Sequence, residues 1–125
     1  MKSIIYTKNA PAPIGPYSQA TVAGNFVFVS GQIPLNPVTG ELITTGITDE
    51  AVMVMENIKA ILTEAGIGFE NIVKTSIFLT DLGNFGQVNE VYGKYFTANF
   101  PARETVQVSA LPKGVNVEIS MIAAR

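Results

Sequence analysis

The chain has 125 residues and a net charge of −2, with 47% hydrophobic and 14% charged residues, a composition that fits one domain over residues 1–125 with a sizeable core. It contains no His, Cys or Trp, which excludes a cysteine nucleophile, a histidine base, and thiolate or imidazole metal ligands. Ten acidic residues against eight basic ones create no basic field for gathering phosphates, so nucleic-acid binding is disfavoured.

Short β-rich runs fill the first part of the chain. We expect strands at residues 3–6, 18–22 and 26–30, the last two joined by a turn at residues 23–25 into a hairpin. Between the first two strands, three prolines keep residues 8–16 out of helix and sheet, which predicts a rigid loop.

Two segments show helical spacing of apolar residues. The first predicts a helix over residues 49–65, capped by Thr48 or Asp49 and closed by Gly66. Its expected core positions are Val52, Met55, Ile58, Ile61 and Leu62. Its acidic residues, Asp49, Glu50 and Glu56, are expected to solvate the helix surface. The second predicts a helix over residues 84–96, with an aromatic stripe that is typical of core packing.

The remaining runs complete an α+β pattern. A strand is predicted at residues 72–79, and strands at 105–110 and 115–123 are expected to pair around the turn at residues 111–114. The order β-β-β-α-β-α-β-β predicts a two-layer domain, with two helices packed on one mixed, mostly antiparallel sheet. The other sheet face would stay open, which in a chain this apolar predicts an oligomer.

Arg103 is the only arginine apart from the terminal Arg125. Its guanidinium is a rigid fork that matches a carboxylate or phosphate bidentately, so its place among apolar residues indicates capture of a small anion. The alternative is an ordinary ion pair at the surface or at an interface, the commoner role of a charged residue.

Strand alternation suggests a relation between Arg103 and Glu118. It places Arg103, Thr105 and Gln107 on one face with Glu118. The simplest register sets Gln107 beside Glu118 and Arg103 roughly 13 Å away. We therefore expect no direct bridge within one subunit unless a bulge intervenes, although a neighbouring subunit could join the two side chains. Glu118 in an apolar strand needs a partner, either as a structural hydrogen-bonding carboxylate or as a group that positions water.

Tyr17, Ser30 and Gly31 are weaker single signals. A tyrosine hydroxyl commonly anchors a loop, and Gly31 either permits a turn or brings backbone amides close to a ligand. The glycines at residues 66–68 lack the pattern of a phosphate loop, and the carboxylates form no metal-binding motif.

Five segments in order resemble the RidA family, also called the YjgF-type reactive-intermediate deaminases. They are Gly15-Pro16-Tyr17-Ser18-Gln19-Ala20, Val29-Ser30-Gly31-Gln32-Ile33-Pro34, residues 89–96, Phe100-Pro101-Ala102-Arg103 and Val117-Glu118-Ile119. The match spans nearly the whole chain. It implies a chorismate-mutase-like α+β fold and a homotrimer, with sheets packed into a central barrel and ligand clefts between subunits.

The resemblance also implies an activity and roles for residues. The family hydrolyses enamine and imine products of amino-acid dehydratases, such as 2-aminoacrylate and 2-iminobutanoate, to 2-oxo acids and ammonia without a metal or cofactor. Arg103 would hold the substrate carboxylate, assisted by the backbone of Thr105, and Glu118 would position the attacking water. Tyr17 and the backbone of Ser30 and Gly31 would shape the cleft from across the interface.

One departure and two alternative functions accompany this prediction. Many relatives carry Ser-Cys where this chain has Glu104-Thr105, and we expect the charge of Glu104 to affect which carboxylates are accepted. A non-catalytic module that binds 2-oxo acids or other small carboxylates is the alternative to the deaminase. Action on RNA or translation, reported for some relatives, is disfavoured by the acidic balance.

The amino terminus does not show the pattern expected of a secretory signal peptide. Its apolar run is too short for a signal peptide, and no window of the sequence approaches a membrane span. The expected location is the cytoplasm.

Overall fold

The computed structural model describes all 125 residues. Its strands are β1 (Lys2–Ile5), β2 (Ala20–Ala23), β3 (Phe26–Gln32), β4 (Ile72–Leu79), β5 (Ala102–Gln107) and β6 (Val117–Ala124), and its helices are α1 (Ile47–Glu64) and α2 (Phe85–Gly93). Short 3-10 helices occupy Phe69–Asn71, Leu82–Asn84 and Pro112–Gly114. The predicted order of strands and helices is confirmed.

All six strands join one sheet, in the order β1-β2-β3-β6-β4-β5. Only β4 and β5 run parallel, and every other neighbouring pair is antiparallel. Both helices pack on one face of this sheet. The predicted α+β class, with two helices on one mixed, mostly antiparallel sheet, is therefore confirmed.

The predicted pairing of the last two strands is wrong. β5 pairs with β4, while β6 lies on the other side of β4 and separates it from β3. Burial explains why β6 lies inside the sheet and β5 at its edge, since every second residue of β6 is buried whereas β5 has no buried residue. A polar strand suits the sheet edge and an amphipathic one suits the centre. The turn signal at residues 111–114 could not reveal which strand lies next to which.

The helices supply much of the core. The buried apolar residues of α1 are Ala51, Val54, Met55, Ile58, Ile61 and Leu62, and those of α2 are Val88, Val91 and Tyr92. Val52, an expected core position, is 40% exposed. Val54 lies on the buried face instead, because it continues the spacing of three and four residues between Ala51, Ile58 and Ile61. Neither helix has the length and apolarity that a membrane crossing requires.

The start of α1 differs from prediction and its end agrees. Gly46 is the N-cap and no side chain caps the helix, so the expected caps Thr48 and Asp49 are wrong. Asp49 lies in the first turn and accepts a hydrogen bond from the Thr45 hydroxyl at 2.6 Å. Gly66 follows the C-cap with φ of 77°, as expected of the residue that closes a helix.

Glu50 is a second correction on α1. It was expected to solvate the helix, but it is only 4% exposed. Its carboxylate accepts hydrogen bonds from the backbone N–H and the side-chain Nδ2 of Asn116, at 3.2 and 2.9 Å. The cause is tertiary, because the first turns of α1 lie against the segment that leads into β6. Asp49 and Glu56 are exposed, as expected.

The face of the sheet opposite the helices is uncovered. It exposes apolar side chains, including Phe26 at 47%, Phe28 at 43% and Val106 at 40%. Phe26 and Phe28 lie side by side, with ring centroids 6.3 Å apart. Such a patch is typical of a surface that another protein chain covers.

Candidate functional site

Arg103 lies on the helix-facing side of the sheet. It pairs with Thr75 of β4, and Thr75 pairs on its other side with Met121 of β6. Residues directly opposite each other in a sheet share a face. Because Thr75 and Met121 are buried, Arg103 projects toward the helix layer.

Glu118 lies on the opposite, uncovered face. It pairs with Phe78 of β4, which is out of phase with Thr75. The β5 residue that also pairs with Phe78 is Val106, not Thr105 or Gln107. The prediction that Arg103, Thr105 and Gln107 share a face with Glu118, with Gln107 beside it, is therefore wrong. It assumed a β5–β6 ladder that the fold does not contain, and the sheet itself separates Arg103 from Glu118.

Arg103 is held by three residues of α2. Its Nη1 donates to Oδ1 of Asn89 at 2.7 Å. Its guanidinium carbon lies 5.0 Å from the ring centroid of Tyr92 and 5.4 Å from that of Phe85, which are cation–π contacts. The one salt bridge in the chain joins Lys74 and Glu104, so Arg103 forms no ion pair within the chain.

A cleft of about 480 Å³ opens at Arg103. Its walls are Asn89, Tyr92, Gly93, Phe100, Pro101 and Arg103. It combines one cation with aromatic and apolar walls, the composition expected of a small-ligand site. A guanidinium whose own partner is a neutral amide keeps its charge available for an incoming carboxylate.

Phe85 and Tyr92 belong to the aromatic stripe of the second predicted helix, which was expected to pack in the core. Asn89 was not predicted as a site residue. Residues 85, 89 and 92 are spaced by four and three, which places them on one side of a helix. That spacing could have identified the group, but not its contact with Arg103. Tyr92 is 4% exposed, and its hydroxyl donates to Oγ1 of Thr75 at 3.0 Å. Burial raises the pKa of Tyr92, against the opposing effects of Thr75 and Arg103, so the hydroxyl stays protonated.

The neighbours of Arg103 in sequence lie on both faces. Thr105 pairs with Ile77 and shares the face of Arg103, and its hydroxyl is buried without a hydrogen-bond partner. Glu104 lies on the other face, where it accepts a hydrogen bond from Ser76 and pairs with Lys74 at 3.0 Å. Those two partners, Ser76 first, lower the pKa of Glu104. This placement does not support the expected effect of Glu104 on ligand choice at Arg103.

A bulge in β3 brings Gly31 to Glu118. Val29 pairs with Met121 and Gln32 with Ile119, so β3 holds one residue more than β6 over this stretch, at Ser30 and Gly31. A Cβ atom on Gly31 would lie 2.8 Å from the carboxyl carbon of Glu118. Gly31 is therefore required for the close approach of this carboxylate to the β3 backbone.

Ser30 and Gln19 fix the loop that carries Tyr17. The Ser30 hydroxyl donates to the Ser18 carbonyl at 2.6 Å, and the Ser30 N–H donates to the Gln19 carbonyl at 2.9 Å. The buried Gln19 side chain accepts from the Thr7 N–H at 2.7 Å and donates to the carbonyls of Thr7, Ala10 and Pro11. The rigidity predicted from the prolines thus has a second source in Gln19.

Tyr17 projects from this loop. It is 53% exposed, and with Gly31 it lines a second cleft of about 320 Å³. The structure therefore brings Tyr17, Ser30, Gly31 and Glu118 into one neighbourhood, with Arg103 and Thr105 in another.

Glu118 is half-buried, and burial raises its pKa. No hydrogen bond from the chain reaches the carboxylate to oppose this shift. A carboxylate with a raised pKa is a better proton acceptor near neutral pH, and its free oxygens are able to bind water. No group of three or more acidic side chains comes together to hold a metal ion.

Comparisons with known proteins cover the full chain. A family model described as Endoribonuclease L-PSP matches residues 7–125. The human protein named 2-iminobutanoate/2-iminopropanoate deaminase is 45% identical, over 98% of this chain and 90% of its own length. A RutC family protein of Pyrococcus horikoshii is 52% identical, over 98% of both chains.

Solved structures agree with this fold along its whole length. The crystal structure of a Rid family protein of unknown function from Yersinia pestis has a TM-score of 0.98 and 52% identity, covering 100% of both chains. The crystal structure of E. coli TdcF with bound serine has a TM-score of 0.94 and 46% identity, covering 98% of both chains. At such identity the similarity extends to sequence as well as fold.

Proposed function

Given that this chain belongs to the Endoribonuclease L-PSP family, also called the YjgF/RidA family, we propose that it hydrolyses 2-imino acids to 2-oxo acids and ammonia. The substrates would be 2-iminobutanoate, 2-iminopropanoate and their enamine forms, as released by amino-acid dehydratases. The observation that carries the proposal is Arg103, a cation without a counter-ion, fixed at the wall of a cleft. Mammalian relatives named for this activity support it.

Arg103 would bind the substrate carboxylate through its two forked N–H groups. Asn89 and the rings of Tyr92 and Phe85 already hold the guanidinium, so little of its conformational freedom is lost on binding. The backbone of Thr105, on the edge strand of the sheet, would add a donor. The imine carbon would then lie at a fixed distance from this anchor.

Glu118 would act on water. As the water oxygen attacks the carbon of the protonated imine, one water proton passes to Glu118 and the C=N π electrons move onto nitrogen, which yields a carbinolamine. Glu118 then returns the proton to the amino nitrogen. The C–N bond breaks as the hydroxyl oxygen forms the carbonyl, and the hydroxyl proton passes through Glu118 to the leaving ammonia. A protonated imine plus water thus gives a 2-oxo acid and ammonium. A protonated imine is already a strong electrophile, so orientation and one ordered water supply a useful rate gain.

The site would form between copies of the chain. Arg103 and Glu118 lie on opposite faces of the sheet, so one small ligand cannot contact both within a single copy. In the proposed homotrimer, the uncovered sheet faces with Phe26 and Phe28 pack together. Arg103 and Thr105 of one copy then meet the cluster of Tyr17, Ser30, Gly31 and Glu118 from its neighbour.

A coupled assay tests the activity. A dehydratase generates the imine, and release of 2-oxo acid is followed with and without the purified protein. We expect acceleration by the wild type and a loss of at least about 100-fold in Arg103→Ala, because a charge-assisted bidentate contact is removed. Arg103→Lys, which keeps the charge without the fork, should recover only part of the activity. Lys59→Ala, which removes a cation from the exposed side of α1, is the matched control.

Equal acceleration by the wild type and Arg103→Ala would contradict the proposal. Saturable binding of 2-oxobutanoate without acceleration would select the second candidate, a carboxylate-binding module. That candidate is favoured by the Arg103 cleft, because one copy alone supplies both its cation and its aromatic and apolar walls. RNA cleavage, the activity in the family description, would contradict both candidates if neither imine hydrolysis nor 2-oxobutanoate binding accompanied it.

A further inference from the structure

Glu50 is the only charged side chain among the buried residues of the chain. It has no cation within salt-bridge distance. It lies near the N-terminus of α1, where the helix dipole favours a negative charge. Burial of a charge without a counter-ion is nevertheless costly, so the hydrogen bonds it makes are the feature to explain.

The Glu50 carboxylate accepts two hydrogen bonds, both from Asn116: one from its backbone N–H at 3.2 Å and one from its Nδ2 at 2.9 Å. Asn116 is held from the other side by Thr80, which follows the end of β4. The Thr80 N–H donates to the Asn116 carbonyl and the Thr80 hydroxyl donates to Asn116 Oδ1, both at 3.3 Å. We call Glu50, Asn116 and Thr80 the β6 clamp.

The β6 clamp fixes the backbone immediately before Glu118. Asn116 directly precedes β6, and Glu118 is two residues further along, about 7 Å at the usual strand rise. The Glu118 carboxylate accepts no hydrogen bond from the chain, and its close neighbour is the backbone of Gly31. Its direction therefore depends on the path of the strand that carries it.

We propose that Glu50 is a positioning residue, which holds Glu118 in its half-buried place through Asn116. The inference rests on the proposed function for its catalytic consequence, but not for its structural one. Glu50 is not among the residues that line the Arg103 cleft, which belong to α2, to the segment before β5 and to β5 itself. Loss of Glu50 should therefore act on kcat and spare KM.

The kinetic test is a double-mutant cycle. Glu50→Ala is expected to lower kcat about tenfold or more, because small misplacements of a reacting group are costly, and to leave KM within about twofold. Glu50→Gln, which keeps one acceptor for Asn116, should recover part of this loss. In a Glu118→Gln background, Glu50→Ala should lower kcat no further, since its effect passes through Glu118. If the double variant instead lost kcat by the product of the two single losses, the proposal would be overturned.

Two comparisons separate positioning from general destabilisation. Glu56→Ala removes a carboxylate of the same helix, which accepts a hydrogen bond from the Tyr95 hydroxyl at 2.6 Å, and should leave kcat unchanged. Thermal unfolding of each variant measures how much Glu50→Ala lowers stability. This loss of stability should be the same whether position 118 holds Glu or Gln. An equal fall of kcat in Glu56→Ala would overturn the proposal.

A second readout needs no activity. NMR titration of the Glu118 carboxyl carbon is compared among wild type, Glu50→Gln and Thr80→Val. The last variant loosens the β6 clamp without changing a charge, and the pair Lys74 and Glu104 on the same sheet face is present in all three. Burial raises the pKa of Glu118, so loosening should move its titration midpoint downward.

An unchanged midpoint in both variants would overturn the positioning role. Because the titration needs no substrate, it decides the role of the β6 clamp even if the wild-type protein hydrolyses no imine, an outcome that would sink the proposed function alone. It also covers the case in which Glu50→Ala does not fold, since Glu50→Gln and Thr80→Val are milder changes.

Discussion

Arg103 and Glu118 lie on the two faces of one sheet, and the chain holds them in different ways. Arg103 is fixed by a hydrogen bond that it donates to Asn89 and by two aromatic rings of α2. Glu118 accepts no hydrogen bond from the chain and is bounded by the backbone of Gly31. Rigidity favours a group that must bind, whereas a proton acceptor needs a free lone pair. The difference therefore matches the two roles that we propose.

The two regions share one electrostatic property. Arg103 is paired with a neutral amide rather than a carboxylate, and Glu118 has no cation beside it. In contrast, Lys74 and Glu104 neutralise each other nearby on β4 and β5. A charge without a counter-ion keeps its affinity for a ligand of opposite sign, or for a proton. What distinguishes these two side chains from ordinary surface charges is that each unpaired charge has a fixed place, Arg103 at the wall of a cleft and Glu118 half-buried beside Gly31.

The largest expected effect comes from mixing variants of the two regions. Arg103→Ala and Glu118→Gln copies should each retain only a small residual activity alone. Co-assembled and selected as mixed trimers, they should recover about a third of wild-type activity, because one cleft in three then combines an intact Arg103 from one copy with an intact Glu118 from its neighbour. Co-expression with two affinity tags, followed by the coupled assay on doubly tagged oligomers, measures this.

The control replaces Glu118→Gln by the double variant Arg103→Ala/Glu118→Gln, with which no complete cleft forms and no activity should return. A mixed oligomer of the two single variants that stays inactive would show that Arg103 and Glu118 do not serve one cleft from two copies.

Substitutions at Asn89 test the region around Arg103. Asn89→Ala should raise KM for the imine and Kd for 2-oxobutanoate roughly tenfold, with kcat little changed, since Arg103 loses one ordering hydrogen bond. Asn89→Asp should weaken binding further, because its carboxylate pairs with Arg103 and competes with the ligand. Titration calorimetry and steady-state kinetics measure both, with Gln87→Ala, an exposed residue of α2, as control. Equal affinities of the Ala and Asp variants would argue against a carboxylate site at Arg103.

A substitution at Gly31 tests the region around Glu118. In Gly31→Ala, the added methyl group would lie 2.8 Å from the Glu118 carboxyl carbon and displace it. We expect kcat to fall several-fold through misplacement, with the affinity for 2-oxobutanoate unchanged. Folding should be little affected, since the displaced atoms end a flexible side chain. Gly86→Ala, whose new methyl group would meet nothing within 4 Å, is the control. A change in the affinity for 2-oxobutanoate instead of kcat would show that Gly31 acts on ligand binding rather than on the position of Glu118.

The smallest effect concerns stability and pH. Burial raises the pKa of Glu118 in the folded state, so its contribution to stability is fully present below the unfolded pKa and is lost as pH rises through the folded pKa. Glu118→Gln stays neutral and should unfold at a higher temperature than the wild type at neutral pH. The two should converge below about pH 4, near the unfolded pKa of a glutamate. Scanning calorimetry across pH measures the difference between the two unfolding temperatures. A difference that stays constant with pH would contradict burial of Glu118 as its cause.

Local features were predictable because their causes lie within a few residues of the chain. The order of strands and helices followed from apolar periodicity. Gly66 was predicted to close α1 because glycine readily adopts a left-handed φ, which it has in the structure. Arg103 was a candidate because a lone guanidinium in an apolar context is unusual, and the structure places it at a cleft. The N-cap of α1 failed because Gly46 offers no side-chain signal.

Long-range relations were not predictable in the same way. Burial of Glu50 depends on where α1 meets Asn116, 66 positions away. The contact of Asn89 with Arg103 likewise depends on α2 lying over the edge of the sheet. Neither contact has a local signature, because both partners look like ordinary polar surface residues in sequence.

The sequence by itself determined the chemical inventory, a chain without His or Cys whose reactive groups are carboxylates, hydroxyls and one internal guanidinium, and the order of its eight main elements. Only the tertiary structure decided that β4 separates β5 from β6, and hence that Arg103 and Glu118 face opposite sides. The physical reason is that alternation fixes which residues of one strand share a face. It does not fix which strands are neighbours, because that choice is made by burial and pairing across the whole sheet.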